Sequence, residues 1–537
     1  MEQDNHLLSD RGILSKLRDL ISSHKPPFEN VSPKKYEKED AVLRYGKLVR
    51  IGREILDGSG IARDGRVDEE RADLAKKILI EGIRETNPTA WAAYFEHCLI
   101  APELERRIFT EIDKVGVLDR LKDASGQDFN KNEAIFLTWL HDLSILVSVS
   151  YSRKEFIGDR LLLEMGISKE VQKDLPSTRR LMETAEKMKI DGTRIKEVVG
   201  EKSWEEIFTE EQLRIADAYF ASMNPMQRVI NLADNLGKRG KEGVFNYQEF
   251  VEYLKSQETR YTPKKTGWVS TDWTTELGGP ETSKRVAGSF LQAYVVDKSI
   301  SWLREMGIEV NGILEGMRDY GPKFIIIVRH GELENPKNIV YNLDQAMDPK
   351  DIIHISETGK RQMTDLGKVI DERHFNWAVA VASDQQRAKE SIEVMVGERK
   401  ISIKIDERLN DVYAPGPYKR GMTMEDYRKM KGDVYTEEWR EFNHESPEAV
   451  TQRMEAAFWE MTHNIGVGET AVLLSHGDAI AYLLNKLEYG KTADPGKLRD
   501  SLYPEKGQAI VYIIEPDGSL FSRYRMEGEN KIKGGIY

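Results

Sequence analysis

Cysteine is almost absent from this 537-residue chain. The single Cys98 has no second thiol to pair with, which excludes an internal disulfide. Long hydrophobic runs are missing too. Stretches such as 135 to 149 contain polar or charged residues and fall short of the about 18 continuous apolar residues that suggest a membrane span. The opening residues, MEQDNHLLSDRG, lack the apolar core of a secretory signal, so a cytoplasmic location without membrane attachment is expected. Nor is positive charge in excess. Lys and Arg number 79 against 91 Asp and Glu, a formal charge of −12. That balance speaks against long nucleic acid or acidic membranes as partners, while a local Arg cluster can still receive a small phosphorylated metabolite or nucleotide. Homo-oligomer formation is left open.

What is present is a globular composition, 39% hydrophobic and 32% charged, on a chain too long for one hydrophobic core. Residues 1–40 are polar and read as an arm. Over 41–260 apolar residues recur at helical spacing and β-branched alternation is scarce, which predicts an all-α domain. Asn87-Pro88, Asn130 to Asn132 and Asn224-Pro225 look like helix starts, an N-cap followed by a first turn. Residues 261–320 read as a linker and a connecting helix, the helix running from about 286 to 317. From Gly321-Pro322 onward short apolar strands alternate with helical segments. This predicts, for 321–537, an α/β three-layer sandwich around a mainly parallel sheet.

In open α/β sheets ligands bind beyond the carboxyl ends of the strands. Strand 323 to 328 runs into Arg329-His330-Gly331, strand 377 to 382 into Ser383 and Arg387, and strand 470 to 474 into Ser475-His476-Gly477. A neutral imidazole is a competent nucleophile toward phosphorus, and guanidinium groups match phosphate oxygens while offsetting their charge. A glycine after each His lets backbone approach a phosphate closely, and a charged His476 would add a donor.

On these motifs the C-terminal part, roughly 320 to 537, resembles the histidine phosphatase superfamily, also called phosphoglycerate mutase-like. The resemblance implies that His330 becomes phosphorylated while Arg329, Arg387 and His476 hold the phosphoryl group, with no metal needed. The family's acid segment has the form Leu-x-Glu, and Leu409-Asn410-Asp411 stands in its place. Asp411 is therefore the acid candidate and Glu332 the reserve, a group that protonates the leaving oxygen and then activates water. Gly331, Glu332, Asn335 and Gly477 complete the expected substrate contacts, and Asn338, Tyr413 and Lys419-Arg420 lie nearby. Two departures, Val412 where mutases carry Arg and Pro336 where the family often has Asn, favour a phosphatase over a mutase.

The helical half holds a second constellation: His97 in AYFEHCLIAPELE, His141-Asp142 in FLTWLHDLSILV and Asp234 in VINLADNLGKRG. Each lies in an apolar helical pattern, where an unpaired charge is expensive. Two imidazoles with two carboxylates suit Mn, Fe, Co, Ni or Mg. The arrangement resembles the HD domain of metal-dependent phosphohydrolases over roughly 45 to 260, which implies His97, His141, Asp142 and Asp234 as ligands. No further His follows the doublet closely, so one divalent ion is expected. Arg153, Lys154, Asp159 and Arg160 lie where a substrate-side helix would run. The combined expectation is a phosphohydrolase with two sites. The alternatives are a helical domain that acts only as a nucleotide-binding regulatory module, and a phosphoglycerate-type mutase.

Overall fold

The computed structural model describes residues 35–57, 67–147, 158, 160–189, 202–239, 244–252, 280–341, 344, 347–430, 435–500 and 502–528, with 89, 124, 125 and 127 excepted. Most of the expected arm, the segment 253–279, and Arg153, Lys154 and Asp159 lie outside them. The chain divides into two compact units, Met1–Gly321 and Pro322–Tyr537.

The described residues of the first unit form helices and no strand: α1 (Lys35–Leu56), α2 (Glu69–Thr86), α3 (Ala92–Lys114), α4 (Lys131–Leu140), α5 (Thr178–Met188), α6 (Glu210–Ala221), α7 (Pro225–Leu236), α8 (Pro280–Glu305) and α9 (Val310–Glu315). Their apolar faces explain the packing. Ile78, Leu79 and Ile83 of α2 are fully buried, as are Phe95 and Ile108 of α3 and Phe136 and Leu137 of α4. Helix α2 packs on α4, α3 on α4 and α7, and α8 on α5 and α7.

Two of the expected helix starts are observed. Asn130 accepts from the N–H groups of Asn132 and Glu133, and Asn224 forms a capping box with Gln227 ahead of Pro225. The third is corrected: Asn87 ends α2 instead of starting a helix, with φ 46 and ψ 67. Asn tolerates this left-handed conformation, and a proline next in line cannot continue a helix. Helix α3 starts later, capped by Trp91 without a side-chain bond. The helix expected over 286 to 317 is also broken in two, at the left-handed Gly307 (φ 84).

The second unit is built on a six-stranded sheet in the order β5-β4-β6-β1-β7-β8. The strands are β1 (Lys323–Arg329), β4 (Asn376–Ala382), β5 (Ile403–Ile405), β6 (Glu469–Ser475), β7 (Gln508–Ile514) and β8 (Leu520–Glu527). A small hairpin pairs β2 (Leu333–Glu334) with β3 (His354–Ile355). Pairings β1–β6, β4–β6 and β4–β5 are parallel, and β7 and β8 close the other edge antiparallel. Helices α10 (Glu357–Glu372), α11 (Gln386–Val396), α12 (Pro447–Asn464) and α13 (Gly477–Tyr489) cover the sheet. Val450, Met454 and Phe458 of α12 pack with Ile325 and Ile327, while Phe324 on the opposite face meets Phe375 edge-on at 5.2 Å. The expected mainly parallel α/β sandwich is therefore present. No helix among the described residues is long and apolar enough to cross a membrane.

Candidate active site

Strands β4, β6 and β1 are neighbours, and their register sets Arg329 opposite Ser475 and Ala382 opposite Leu474. The next residue of each, His330, His476 and Ser383, therefore arrives at one sheet edge. All three are buried, and the imidazoles of His330 and His476 have centroids 5.3 Å apart.

The hydrogen bonds assign the ring protons. His330 Nδ1 is 2.8 Å from the Gly331 carbonyl, which can only accept, so Nδ1 carries the proton and Nε2 keeps its lone pair. Burial, then Arg387, Arg329 and Lys506, hold this imidazole well below its ordinary pKa and hence neutral near pH 7. Ser383 Oγ donates to Asn410 Oδ1 at 2.7 Å and accepts from His476 Nε2–H at 2.8 Å. His476 Nδ1 finds no hydrogen-bond partner among the described residues and lies 3.9 Å from Asp411 Oδ2. Burial and Arg387 push its pKa far down as well, so a charged His476 is not its resting form.

Arg387 is completely buried at the first turn of α11. Its Nη1 donates to the Tyr341 carbonyl at 2.9 Å and to Asp344 at 3.2 Å, and its Nη2 to Asp411 at 3.2 Å. Arg329 Nη1 donates to the Pro504 carbonyl at 2.8 Å. The Nε–H groups of both guanidiniums are buried without a partner among the described residues. A buried donor left unmatched is costly, and a phosphate oxygen would satisfy it.

Asp411 sits where the acid was expected. Burial raises its carboxyl to about 6, against the opposing pull of Arg387. A cavity of about 430 Å³ opens beside it, lined in part by Asp344, Tyr413, His444, Glu445 and Arg453. Glu332 uses its backbone, its N–H donating to Gln362 at 2.9 Å and its carbonyl accepting from Ser356. The Asn335 amide is committed to the Ile339 backbone at both ends, 2.8 and 3.1 Å. Arg420 pairs with Glu438 and Glu441 and stacks on Trp439. Asn338 is exposed in a left-handed turn.

The two glycines have protein neighbours that account for them. A Cβ on Gly331 would come within 2.8 Å of Gly359 Cα, and one on Gly477 within 2.9 Å of the Arg329 guanidinium carbon and into the Tyr503 ring. Sequence spacing missed Asp344, the second carboxylate on Arg387. It also missed Arg453, which holds the acid loop by donating to the carbonyls of Arg408, Asn410 and Asp411 at 2.6, 2.7 and 3.1 Å. No local signal marks either residue, because their partners are distant in sequence.

In the helical unit His97, His141, Asp142 and Asp234 do come together. His97 Nδ1 donates to the Gly237 carbonyl at 2.8 Å and His141 Nδ1 to the Thr138 carbonyl at 2.6 Å. In the neutral rings both Nε2 atoms hold lone pairs, yet they lie 3.0 Å apart, a spacing that needs a cation or a proton on one of them. Asp234 Oδ1 is 3.2 and 3.3 Å from the two Nε2 atoms, and Asp142 Oδ2 is 3.9 and 3.8 Å away. Ligand atoms of His97, His141 and Asp142 all fall within 4.8 Å of one another. Burial works against charge on His141, but Asp142 and Asp234 outweigh it and lift the imidazole to about 9. His97, His141 and Asp142 thus offer a nitrogen and oxygen set of the kind that suits a divalent cation, with Asp234 beside both imidazoles and a carbonyl orienting each ring. Arg160 turns aside to Glu164 at 2.8 Å.

Residues 325–518 match the histidine phosphatase superfamily, branch 1. Phosphoglycerate mutase of Schizosaccharomyces pombe is 28% identical over 214 residues, 38% of this chain and 95% of that protein. Among solved structures, YhfR of Bacillus stearothermophilus is 20% identical with a TM-score of 0.31, over 39% of this chain and 98% of that one. Phosphoserine phosphatase of Entamoeba histolytica, solved with 3-phosphoglyceric acid, is 16% identical with a TM-score of 0.29, over 38% and 96%. The family match lies wholly inside Pro322–Tyr537 and carries Arg329, His330, Arg387 and His476, which supports the histidine phosphatase superfamily as the family of the C-terminal unit.

Proposed function

We propose that the C-terminal unit hydrolyses small phosphate monoesters or nucleotides through a phosphohistidine at His330. The observation that carries this reading is the neutral, bare Nε2 of His330 beside two buried guanidiniums with unmatched Nε–H groups. His330 Nε2 attacks phosphorus and the bond from phosphorus to the ester oxygen breaks. Protonated Asp411 gives its proton to that oxygen, and the alcohol leaves. The Asp411 carboxylate then takes a proton from water as the water oxygen attacks phosphorus, releasing phosphate and restoring Nε2. Arg329 and Arg387 offset charge on the nonbridging oxygens, His476 adds a donor at Nδ1 once that nitrogen takes up a proton, and Gly331, Glu332, Asn335 and Gly477 frame the substrate. Val412 is buried in the core beside Asp411, so this position puts no cation there for a second phosphoryl acceptor, which favours transfer to water over a mutase reaction. The test is phosphate release over a metabolite panel. Wild type should release phosphate and form an acid-labile phosphoprotein, and His330→Ala should do neither. An active His330→Ala enzyme would sink the reading.

A second site is favoured by the converging imidazoles. His97, His141, Asp142 and Asp234 would hold one divalent ion (Mn, Fe, Co, Ni or Mg), which supplies Lewis acidity toward a phosphate ester. This fits the HD-type reading of the helical unit. The residues' own part is to orient their Nε2 and carboxylate oxygens, His97 and His141 being fixed by Gly237 and Thr138. Protein that binds no divalent ion, and whose hydrolysis is unmoved by Asp142→Ala, would leave the helical unit a regulatory nucleotide-binding module. We place this activity in the cytoplasm, without nucleic-acid or membrane partners.

A further inference from the structure

The segment 504 to 507 is tied to the phosphoryl site at both ends. Arg329 Nη1 donates to the Pro504 carbonyl at 2.8 Å. At the other end Gly507, left-handed with φ 71, presses on Gln362, where an added Cβ would lie 3.0 Å from Gln362 Cβ; Gln362 Oε1 in turn accepts from the Glu332 N–H at 2.9 Å. Between these anchors stands Lys506. Its side chain is partly buried, the charges of Arg329, Glu332, Arg428 and Arg387 act on its ammonium, and its own charge reaches His330. Among the described residues no hydrogen bond or ion pair closes on its ammonium.

An ammonium withdrawn from water beside a guanidinium is unfavourable unless an anion joins them. Burial, then the Arg329 charge, lower its pKa to about 8, with Glu332 only partly opposing. Arg387 is already shared by Asp344 and Asp411. Among the described residues Lys506 has no such carboxylate within ion-pair distance, which leaves its charge for a ligand. We propose that Lys506 is a further substrate-binding residue, whose ammonium pairs with a nonbridging oxygen of the phosphoryl group transferred to His330. This rests on the phosphohistidine reading above. The residue type fits: Lys offers a compact point charge and needs no bidentate geometry.

The experiment uses the full chain and two probes, inorganic phosphate and orthovanadate, as competitive inhibitors of phosphate release. Lys506→Ala should weaken both and lower kcat/KM by about 10- to 100-fold, the scale of one charge-assisted hydrogen bond. Lys506→Met keeps the apolar stem and should lose as much, which separates charge from packing. Phosphate inhibition of wild type should weaken as pH rises through about 8, where Lys506 loses its charge. Lys506→Arg should keep its inhibition there, which removes titration of phosphate itself as the cause. If wild type is inhibited and Lys506→Ala and Lys506→Met match it, the assignment of Lys506 is wrong while the His330 reading stands. If wild type neither releases phosphate nor is inhibited by it, the phosphohistidine reading falls and this inference falls with it.

Discussion

His97 Nε2 and His141 Nε2 stand 3.0 Å apart, although each ring donates its Nδ1–H to a backbone carbonyl. Two lone pairs at that distance repel unless a cation or a shared proton lies between them. Purified protein supplied with Mn should therefore retain about one divalent ion per chain, as a four-donor nitrogen and oxygen site requires. His141→Ala and Asp234→Ala should lose it, and elemental analysis beside the melting curve reads both. Chelation should lower the melting temperature of wild type and leave His330-dependent phosphate release intact. Equal metal content in wild type and His141→Ala would rule the site out.

Asp411 gives the phosphatase reaction a pH signature. Its carboxyl is raised to about 6 by burial, well above an ordinary Asp. Protonation of the leaving oxygen needs the acid form, so this step should slow as pH rises through about 6. Activation of water needs the carboxylate and should slow as pH falls through the same value. Asp411→Asn is fixed in a neutral form and should flatten both limbs while lowering kcat by about 10²- to 10⁴-fold. A substrate with a phenolate leaving group, which needs no proton, should be hit least in the first step. An unchanged pH profile in Asp411→Asn would move the acid role to Glu332.

Gly477 has no room for a side chain, because Arg329 and the Tyr503 ring occupy that space. Tyr503 is held there by donating to Asp478 at 2.5 Å and stacks on the Arg329 guanidinium at 5.1 Å. Gly477→Ala should displace this pair, costing about 1–3 kcal/mol of stability as overpacking does. Phosphate affinity should fall with it. Thermal unfolding and phosphate inhibition measured together would show a wrong assignment if neither moves.

Glu105 is fully buried in α3, and among the described residues neither of its oxygens finds a hydrogen-bond partner, with Thr138 and His141 as polar neighbours. Burial raises its carboxyl to about 8. The folded state thus prefers the protonated form. The stability tied to that proton is complete below the unfolded pKa of about 4.3 and is lost as pH rises through about 8. Glu105→Gln, which stays neutral, should match wild type at low pH and melt higher above pH 8. Denaturation of both proteins across pH would disprove this if the gap did not widen.

The C-terminal architecture was legible because alternating strands and helices, and His or Arg at strand ends, are local patterns that a sheet's regular geometry turns into one edge. Asn224 and Asn130 were legible as caps for a similar reason, since a cap acts within one turn. Asn87 was misread because Asn before Pro serves a helix start as well as a left-handed stop, and the choice rests on which flanking segment packs. The glycines after His330 and His476 were assigned to phosphate approach, whereas Gly359 and Tyr503 are the groups that press on them.

The sequence by itself determined residue types and short-range order: the nucleophile His330, the guanidiniums Arg329 and Arg387, and the His-Asp doublet 44 positions beyond His97. Only the tertiary structure decided which groups meet. Arg453 reaches Asn410 across 43 positions, Asp344 reaches Arg387 across 43, and the Arg329 contact with Pro504 that sets Lys506 in place spans 175. Such closures are selected by burial of whole helices on the sheet, a sum over many side chains that no short segment encodes. The same packing, not the motif, set the proton on each imidazole and raised the Asp411 carboxyl.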